Sequence, residues 1–200
     1  MTKVITNIDE IIALMRNDKT IALPTDTVYG LMAPLSEKGL NNIKLAKSRD
    51  ENKPIPIMVN GLKMLERIAD VKEYQLPVIN KFMPGCITII FNKKDCLNDN
   101  FTNGLATVGV RIPDDQLLLD VMEILDSPIL VTSANLSGQP TCFNDAEVLD
   151  QLDGRIDGII LGHSSGNKPS TIVDMTSNEL KIIRQGDISW EMLMEVQNEN

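Results

Sequence analysis

Hydrophobic positions along this chain predict amphipathic helices that alternate with short buried strands. One apolar face at helical spacing predicts the first helix and is formed by Ile8, Ile11, Ile12 and Met15. Asn7 is a candidate N-cap for that helix, because its side-chain oxygen can accept a hydrogen bond from a free backbone N–H. A continuous apolar run at residues 21–23 predicts the first strand, and Pro24 ends it.

The later segments continue this alternation and indicate the fold class. Helical spacing predicts helices at residues 40–48, 62–69, 71–82, 116–125 and 188–196. Apolar runs predict strands at residues 54–59, 87–91, 107–112 and 129–131, and the segments 146–152, 159–161, 171–174 and 180–184 continue the pattern. The prolines at positions 54 and 56 favour an edge or an irregular start for their strand. Strand pairs such as 172–173 and 182–183 lack a helix between them, so we expect a mixed, twisted α/β sheet with flanking helices.

Composition limits the class of protein. The chain has 200 residues, of which 42% are hydrophobic, and this fits one domain over residues 1–200. The apolar runs are too short to cross a membrane, and residues 1–4 lack the apolar stretch of a signal peptide. Three cysteines without C-x-x-C spacing, at positions 86, 96 and 142, indicate free thiols in a reducing compartment. We therefore expect a cytoplasmic protein with no membrane partner.

Charge argues against a large nonspecific nucleic-acid interface. The formal net charge is −9, whereas such an interface needs a basic face. A local basic pocket stays compatible with this charge, because basic residues cluster at Lys44, Lys47, Arg49 and Lys53. Lys and Arg two residues apart can converge on one anion. The alternative is a solvated helix end, where cations also suit the helix dipole.

The segment 23–31 carries an unusual density of polar groups directly after the first predicted strand. Thr25, Asp26, Thr27 and Tyr29 place two hydroxyls, a carboxylate and a phenol within five residues, and Gly30 permits a tight turn. Such a segment at a strand end is typical of a ligand-binding loop in an open α/β sheet. The alternative is an Asx or Ser/Thr turn that caps the next helix.

Arg111 lies inside the apolar strand 107–112. A buried charge is costly without a partner, so the guanidinium should face either a ligand or a carboxylate. Asp114 and Asp115 are the nearest carboxylates in sequence and offer a simple salt bridge as the alternative. Both interpretations are open at this point.

Further polar segments follow three other apolar runs. The strand at 129–131 leads into hydroxyls, an amide and Gly138, and small side chains there let backbone N–H groups approach an anion. The sequence contains neither a P-loop nor a G-x-G-x-x-G motif. The alternative for this segment is a helix cap at Ser133 or Asn135. Segments 168–174 and 182–186 likewise set hydroxyls or an arginine beside short strands.

Together these segments resemble the YrdC-type threonylcarbamoyl-AMP synthase family, in its short, single-domain form. The matching pieces occur in the family's order and are PTDTVYGL (24–31), KSR and KPI (47–55), PG-x-IT (84–88), VGVRIP (108–113), VTSANLSG (131–138), PSTIVD (169–174) and IIRQG (182–186). The resemblance implies a twisted α/β fold around one concave, basic cavity. It also implies an ATP-dependent nucleotidyltransferase that condenses L-threonine, bicarbonate or CO₂, and ATP to threonylcarbamoyl-AMP and pyrophosphate.

The resemblance further implies partners. The product would feed the threonylcarbamoyladenosine modification of tRNA, a partner transferase complex would complete the transfer, and a weak tRNA contact is compatible with this role. Mg²⁺ would arrive with ATP, bound mainly by waters and phosphate oxygens, and no metal ligand in the chain is implied.

Site residues follow from the same resemblance, position by position. It assigns the amino-acid substrate to Thr25, Thr27, Tyr29, Met58, Arg111, Ala134 and Ser170. Within this set Arg111 pairs the carboxylate and Tyr29 shapes the pocket. It assigns the nucleotide to Lys47, Arg49, Lys53, Thr107, Thr132, Ser133, Asn135 and Arg184. Lys47 and Arg49 meet the phosphates and are the catalytic candidates, since catalysis by positioning and charge neutralisation needs no protein nucleophile.

Two positions depart from the family pattern, and rival functions are open. Met58 stands where many members have a histidine, so a polar contact to threonine is lost there, and Cys86 replaces a common proline. One rival is a carbamoyl-adenylate-forming domain of the kind found in hydrogenase maturation proteins, which normally belong to longer chains. Others are a noncatalytic RNA-binding module, which the net charge disfavours, and a purely structural domain.

Overall fold

The computed structural model describes residues 1–49 and 53–198, and these form one mixed ten-stranded sheet with helices packed on it. The strands are β1 (Lys3–Val4), β2 (Ile21–Leu23), β3 (Gly30–Pro34), β4 (Ile57–Met58), β5 (Ile87–Asn92), β6 (Thr107–Arg111), β7 (Ile129–Ser133), β8 (Gly158–Ile159), β9 (Thr171–Asp174) and β10 (Lys181–Arg184). The α-helices are α1 (Ile8–Met15), α2 (Glu37–Lys47), α3 (Leu62–Ile68), α4 (Leu76–Phe82), α5 (Gln116–Leu125), α6 (Asp145–Leu152) and α7 (Trp190–Asn198). Two 3-10 turns lie at Glu73–Gln75 and Asp99–Thr102.

The sheet combines parallel and antiparallel pairing, which confirms the predicted mixed α/β class. Its spatial order is β1-β8-β2-β3-β7-β4-β6-β5-β9-β10. The central strand β7 runs antiparallel to β3 and β4, whereas β4 runs parallel to β6. On the far side of β6, β5 pairs antiparallel with β6 and parallel with β9. This order brings the polar segments after β2, β7 and β6 to one region of the molecule.

The predicted helix caps and faces are confirmed at α1. Asn7 accepts a hydrogen bond from the backbone N–H of Glu10, as an N-cap should. Ile11, Ile12 and Met15 are buried in the core. Burying each such side chain contributes about 1.5–3 kcal/mol relative to leaving it in water. No helix in the described part of the chain has the length and hydropathy that a membrane crossing requires.

Two alternatives were open for the strand at 54–59: the irregular start is confirmed, and the edge position is wrong. β4 contains only Ile57 and Met58, and it lies inside the sheet between β7 and β6. Proline is tolerated beside this interior position because Pro56 contributes only its carbonyl, which accepts from the backbone N–H of Val131. The backbone N–H of Val59 continues the pairing on the other side by donating to the carbonyl of Arg111.

Two other elements differ from the sequence prediction. Residues 71–82 do not form one helix, because Pro77 occupies the first turn of α4, where proline starts a helix. Strand β3 was not predicted, since its first residue Gly30 closes the polar segment 23–31. The alternative of an Asx or Ser/Thr turn that caps the next helix is confirmed only for the turn. The backbone N–H of Thr27 donates to Oγ1 of Thr25, as in a Ser/Thr turn, but β3 rather than a helix follows and pairs with both β2 and β7.

Candidate functional site

A cavity of about 250 Å³ opens beside the ends of β4, β6 and β7 and the loop between β2 and β3. Nine of the predicted site residues line it: Thr25, Thr27, Arg49, Met58, Arg111, Thr132, Ser133, Ser170 and Arg184. Residues that the sequence reasoning did not single out also line it, among them Val28, Pro56, Thr88, Thr141 and Ile172. The cavity is therefore lined by three arginines, by a set of hydroxyls and, on one side, by apolar side chains.

Arg111 is buried at the end of β6 and is held by three contacts. Its Nε donates to the carbonyl of Gly85 at 2.9 Å, and Nη1 donates to Oγ1 of Thr27 at 2.8 Å. Nη2 forms a buried ion pair with Oδ2 of Asp26 at 2.6 Å. The expected salt-bridge partners, Asp114 and Asp115, do not hold this guanidinium, because β6 ends with Arg111 facing the loop that carries Asp26. Among the described residues, three of the five N–H donors of Arg111 are engaged.

Asp26 also ties a second loop to the site. Its Oδ2 accepts a hydrogen bond from the backbone N–H of Asp114 at 3.1 Å. Its other oxygen, Oδ1, is buried and has no hydrogen-bond partner among the described residues. The sequence placed Asp26 in a candidate loop but gave it no role. A carboxylate within the same polar run as Thr27 was the signal available for this pairing.

Thr25 and Thr27 form a compact hydroxyl pair in the loop between β2 and β3. Their Oγ1 atoms lie 3.1 Å apart, and both side chains are buried against the cavity wall. The hydroxyl of Thr25 donates to the carbonyl of Val28 at 2.8 Å and accepts from the backbone N–H of Thr27 at 3.1 Å. Thr27 is thus directed toward Arg111 by its own loop.

Arg184 and Ser170 form the opposite wall. Nε and Nη2 of Arg184 donate to the carbonyl of Ser170 at 3.0 and 2.8 Å, and Nη2 also reaches its hydroxyl at 3.1 Å. Burial, and then the positive charge of Arg111, lower the pKa of Arg184. The hydroxyl of Thr88 lies 2.9 Å from that of Ser170. Thr88 was missed because a lone threonine in an apolar strand is typical of structural positions.

Lys47 lies behind the cavity rather than on its surface. Its Nζ donates to the carbonyl of Ser133, to the carbonyl of Asn135 at 2.6 Å and to Oδ1 of Asn135 at 3.3 Å. Burial, and then the positive charge of Arg49, lower the pKa of Lys47 to about 7. The solvated-helix-end alternative therefore fails for Lys47. Its amine instead fixes the end of β7 and the loop that follows it to the end of α2.

Arg49 lines the cavity, whereas Lys53 is exposed and does not belong to the lining. Nε and Nη2 of Arg49 donate to the carbonyls of Lys53 and Pro54 at 3.1 and 3.0 Å. These contacts hold the start of the segment that leads into β4. The family-like motif at 47–55 includes residues 50–52, which lie outside the described part of the chain.

Four further predicted residues lie outside the cavity lining. Tyr29 points to the opposite side from Val28 and Gly30, and its hydroxyl donates to the carbonyl of Ile160. Burial, and then the charge of Asp145, raise the pKa of this phenol. Ala134 is buried and donates its backbone N–H to the carbonyl of Tyr29 at 2.7 Å. Both residues therefore support the loops around the cavity from behind.

Thr107 and Asn135 lie outside the cavity lining for different reasons. Thr107 begins β6, four residues before Arg111, and an extended strand separates such positions by about 13 Å. Asn135 turns inward: its Nδ2 donates to the carbonyls of Leu136 and Gln139 at 2.9 and 2.8 Å. The helix-cap alternative for Ser133 and Asn135 also fails, since β7 runs through Ser133 and the next helix begins at Asp145.

Met58 and Cys86 complete the surroundings. Met58 lines the cavity together with Pro54, Pro56 and Val28, so this part of the wall is apolar. Sγ of Cys86 lies 3.8 Å from the carbonyl of Asp26, and burial is the main cause that raises the pKa of its thiol. Within residues 1–49 and 53–198, no three His, Cys, Asp or Glu side chains are grouped so that they could hold a metal ion.

This geometry defines a class of protein. A mixed α/β sheet carries a cavity whose polar groups are arginines and small hydroxyls, which suit carboxylate and phosphate oxygens. The sequence model of the Sua5/YciO/YrdC family, described as "Telomere recombination", matches residues 13–186. The chain belongs to the Sua5/YciO/YrdC family.

Individual relatives agree with this assignment. A Methanocaldococcus jannaschii protein provisionally named a threonylcarbamoyl-AMP synthase is 35% identical over 88% of this chain and 84% of its own length. The threonylcarbamoyl-AMP synthase of Bacillus subtilis is 34% identical over 90% of this chain, which spans 54% of that protein. The crystal structure of Pyrococcus abyssi Sua5 complexed with L-threonine is 31% identical, with a TM-score of 0.89 over 98% of this chain and 60% of that one.

Proposed function

We propose that this protein synthesises L-threonylcarbamoyl-AMP from L-threonine, bicarbonate or CO₂, and ATP, and releases pyrophosphate. The observation that carries the proposal is the convergence of Arg49, Arg111 and Arg184 on one cavity of about 250 Å³. L-threonine brings a carboxylate to this reaction, and bicarbonate and ATP are anions. A cavity with three guanidinium groups is suited to collecting such substrates and to neutralising charge as they react.

The threonine end of the cavity is the part around Arg111. A guanidinium fork pairs well with a carboxylate, and Arg111 keeps two N–H donors beyond its three described contacts within the protein. Thr27 supplies a hydroxyl beside it, and the apolar wall around Met58 suits a methyl group. The relatives named threonylcarbamoyl-AMP synthase and the threonine complex of Pyrococcus abyssi Sua5 support this choice of amino acid.

The nucleotide end is the part lined by Arg49, Arg184, Thr132 and Ser133. Charge-assisted hydrogen bonds from arginine to phosphate are among the stronger polar contacts in proteins. Lys47 acts from behind, because its amine ties the carbonyls of Ser133 and Asn135 and so sets the shape of this wall. Mg²⁺ is expected as part of the ATP substrate, held by phosphate oxygens and water.

The chemistry follows from this placement. The threonine ammonium loses a proton to water, and the free amine then attacks the carbon of CO₂ with release of a second proton to water, or that of bicarbonate with loss of water. Either route forms a carbamate. A carbamate oxygen then attacks the α-phosphorus of ATP, and the bond to the departing pyrophosphate breaks. Neither step uses a protein nucleophile. The residues hold three reactants together, and this lowers the entropic part of the activation free energy. They also offset the negative charge of the reactants.

The same proposal places the protein in a sequence of reactions. An acylated adenylate of this kind needs an acceptor, which in this proposal is the tRNA adenosine modified by a partner transferase complex. Synthase, transferase and tRNA would meet in the cytoplasm. A weak direct contact with tRNA is compatible with the local basic residues, despite the net charge of −9.

Pyrophosphate release tests the proposed reaction. Purified protein with ATP and Mg²⁺ is assayed with both L-threonine and bicarbonate, and with each one omitted. Release should require both. Arg49→Ala should lower the rate by at least about tenfold while the fold is retained, since a hydrogen bond to a charged group contributes about 1.5–3 kcal/mol. Release that is independent of threonine, or an Arg49→Ala rate equal to that of the unmodified protein, would refute the proposal.

A further inference from the structure

A chain of hydroxyl groups runs from Arg111 to the backbone of Val28. Nη1 of Arg111 donates to Oγ1 of Thr27 at 2.8 Å, Oγ1 of Thr27 lies 3.1 Å from Oγ1 of Thr25, and Thr25 donates to the carbonyl of Val28 at 2.8 Å. Both threonines are buried, with 3–4% of their surface exposed. The hydrogen bonds of this chain can be assigned a direction from the number of donors and acceptors that each hydroxyl has.

Thr25 has no remaining hydrogen-bonding capacity. A hydroxyl has one proton and two acceptor lone pairs. The proton of Thr25 goes to the carbonyl of Val28, and its Oγ1 accepts from the backbone N–H of Thr27 at 3.1 Å. The remaining lone pair faces Oγ1 of Thr27. Because Thr25 has already donated its proton, Thr27 must be the donor between the two hydroxyls. Thr25 therefore lines the cavity without a polar group to offer a substrate.

Thr27 is left with a single acceptor position. Its proton goes to Thr25, and one of its lone pairs accepts from Nη1 of Arg111, which always carries its proton. The second lone pair is unused by the described residues, and Thr27 lines the cavity. A group that meets Thr27 there must donate an N–H or an O–H. A carboxylate, which only accepts, cannot use this lone pair.

Both ends of the chain are fixed. Arg111 is anchored by Asp26 at 2.6 Å and by the carbonyl of Gly85 at 2.9 Å, so its Nη1 cannot rotate away from Thr27. At the other end the acceptor is a backbone carbonyl. The direction of the Thr27 hydroxyl is thus set by the protein before a ligand binds.

We propose that Thr25 is a positioning residue that holds the Thr27 hydroxyl as an acceptor for the amino group of the bound amino acid. The free N–H groups of Arg111 then meet the carboxylate. This inference rests on the proposed function and specifies how its amino-acid site distinguishes the two ends of the substrate. An ammonium, an amine and a carbamate N–H all donate, so the contact with Thr27 can persist while the carbamate forms.

Calorimetric titration with two ligands tests this inference. L-threonine is compared with (R)-3-hydroxybutyrate, which has the same carboxylate, hydroxyl and methyl groups but lacks the amine. Thr25→Val keeps the shape of the side chain and removes its hydroxyl, so the proton of Thr27 is released from its partner. We expect the affinity for L-threonine to fall about tenfold and that for (R)-3-hydroxybutyrate to change by less than about twofold. Thr25→Ser, which keeps the hydroxyl, should restore threonine binding.

Controls separate this role from a general loss of structure. Thr102→Val removes another buried hydroxyl, one that donates to the carbonyl of Leu105 at 2.8 Å away from the cavity, and should leave both affinities unchanged. If Thr25→Val does not fold, Thr25→Ala also removes the hydroxyl and should show the same loss confined to L-threonine.

Each result has one meaning. An equal loss of affinity for both ligands, or an unchanged affinity for L-threonine in Thr25→Val, would overturn the positioning role while the proposed function stands. Failure of the unmodified protein to bind L-threonine, together with no threonine-dependent pyrophosphate release, would instead remove the proposed function and this inference with it.

Discussion

Arg111 and Asp26 form a buried ion pair across 85 positions of sequence, with 5% and 10% of their side chains exposed. The pair joins the end of β6 to the loop between β2 and β3. Through the backbone N–H of Asp114 it also holds the segment that leads into α5. One carboxylate thereby fixes both the amino-acid end of the cavity and the loops around it.

Asp26→Asn should destabilise the fold. The amide can still accept from Arg111 and Asp114, so the change mainly leaves the buried guanidinium without a countercharge. Breaking a buried pair in this way costs about 3 kcal/mol, which urea unfolding would measure. Asp126→Asn is the matched control, because Asp126 pairs with Arg67 on the surface with 87% of its side chain exposed. A loss of 1 kcal/mol or less is expected there, and equal losses in the two variants would contradict the account.

Arg111→Lys should weaken the use of threonine more than the use of ATP. Lysine keeps the charge beside Asp26, but its single ammonium cannot hold Gly85, Thr27, Asp26 and a carboxylate together. The KM for L-threonine should rise about tenfold, which corresponds to about 1.4 kcal/mol. The KM for ATP should stay within about twofold. Arg67→Lys, at an exposed ion pair, is the control for replacing an arginine by a lysine. A parallel rise in both KM values for Arg111→Lys would argue against a contact between Arg111 and the threonine carboxylate.

Gly166→Ala should disturb the loop that carries Thr27. A Cβ at position 166 would lie 2.6 Å from the carbonyl oxygen of Asp26 and still closer to that of Thr27. Both obstacles are backbone, so the loop must shift, at a cost of about 1–3 kcal/mol. Thermal unfolding measures the loss of stability, and the unfolding temperature should fall. The KM for L-threonine measures the shift of the loop, and it should rise.

Gly61→Ala is the control for this substitution. No atom lies within 4 Å of a Cβ built at position 61, so a smaller loss, below about 1 kcal/mol, is expected. If both alanine variants unfolded at the same temperature with unchanged kinetics, a Cβ at position 166 would not disturb the loop that carries Thr27.

Lys47 should make stability depend on pH. The pKa of Lys47 is about 7 in the folded protein, against 10.5 for the ordinary side chain, so between these values the unfolded chain binds more protons. Stability from this group therefore rises with pH above about 7, by at most about 1.4 kcal/mol per unit. The unfolding free energy of the unmodified protein should rise from pH 7 to pH 9 relative to that of Lys47→Met. A constant difference would mean that Lys47 titrates at its ordinary pKa.

The sequence predicted most elements because their signals are local. Asn7 caps α1 through the backbone N–H of Glu10, three residues away, and the apolar face of that helix follows from the spacing of its own residues. α5 and β9 have the predicted bounds. The interior position of β4 was not predictable, because it depends on β6 and β7, which lie far away in sequence.

The same distinction applies to the cavity. The polar residues at strand ends were predictable as a group, and nine of the candidates line one cavity. The burial of Lys47 was not, because it depends on carbonyls at positions 133 and 135. The inward direction of Tyr29 was not predictable either, because its hydroxyl donates to the carbonyl of Ile160, far away in sequence.

In the proposed reaction one cavity binds L-threonine, bicarbonate and ATP together. The most direct test supplies isotopically labelled bicarbonate with ATP, Mg²⁺ and L-threonine, and separates the products by chromatography with mass detection. We expect a labelled product that contains threonine and AMP. It should form in equal amount with pyrophosphate and be absent when threonine is omitted. Pyrophosphate formation without label in an adenylate product would contradict the proposed reaction.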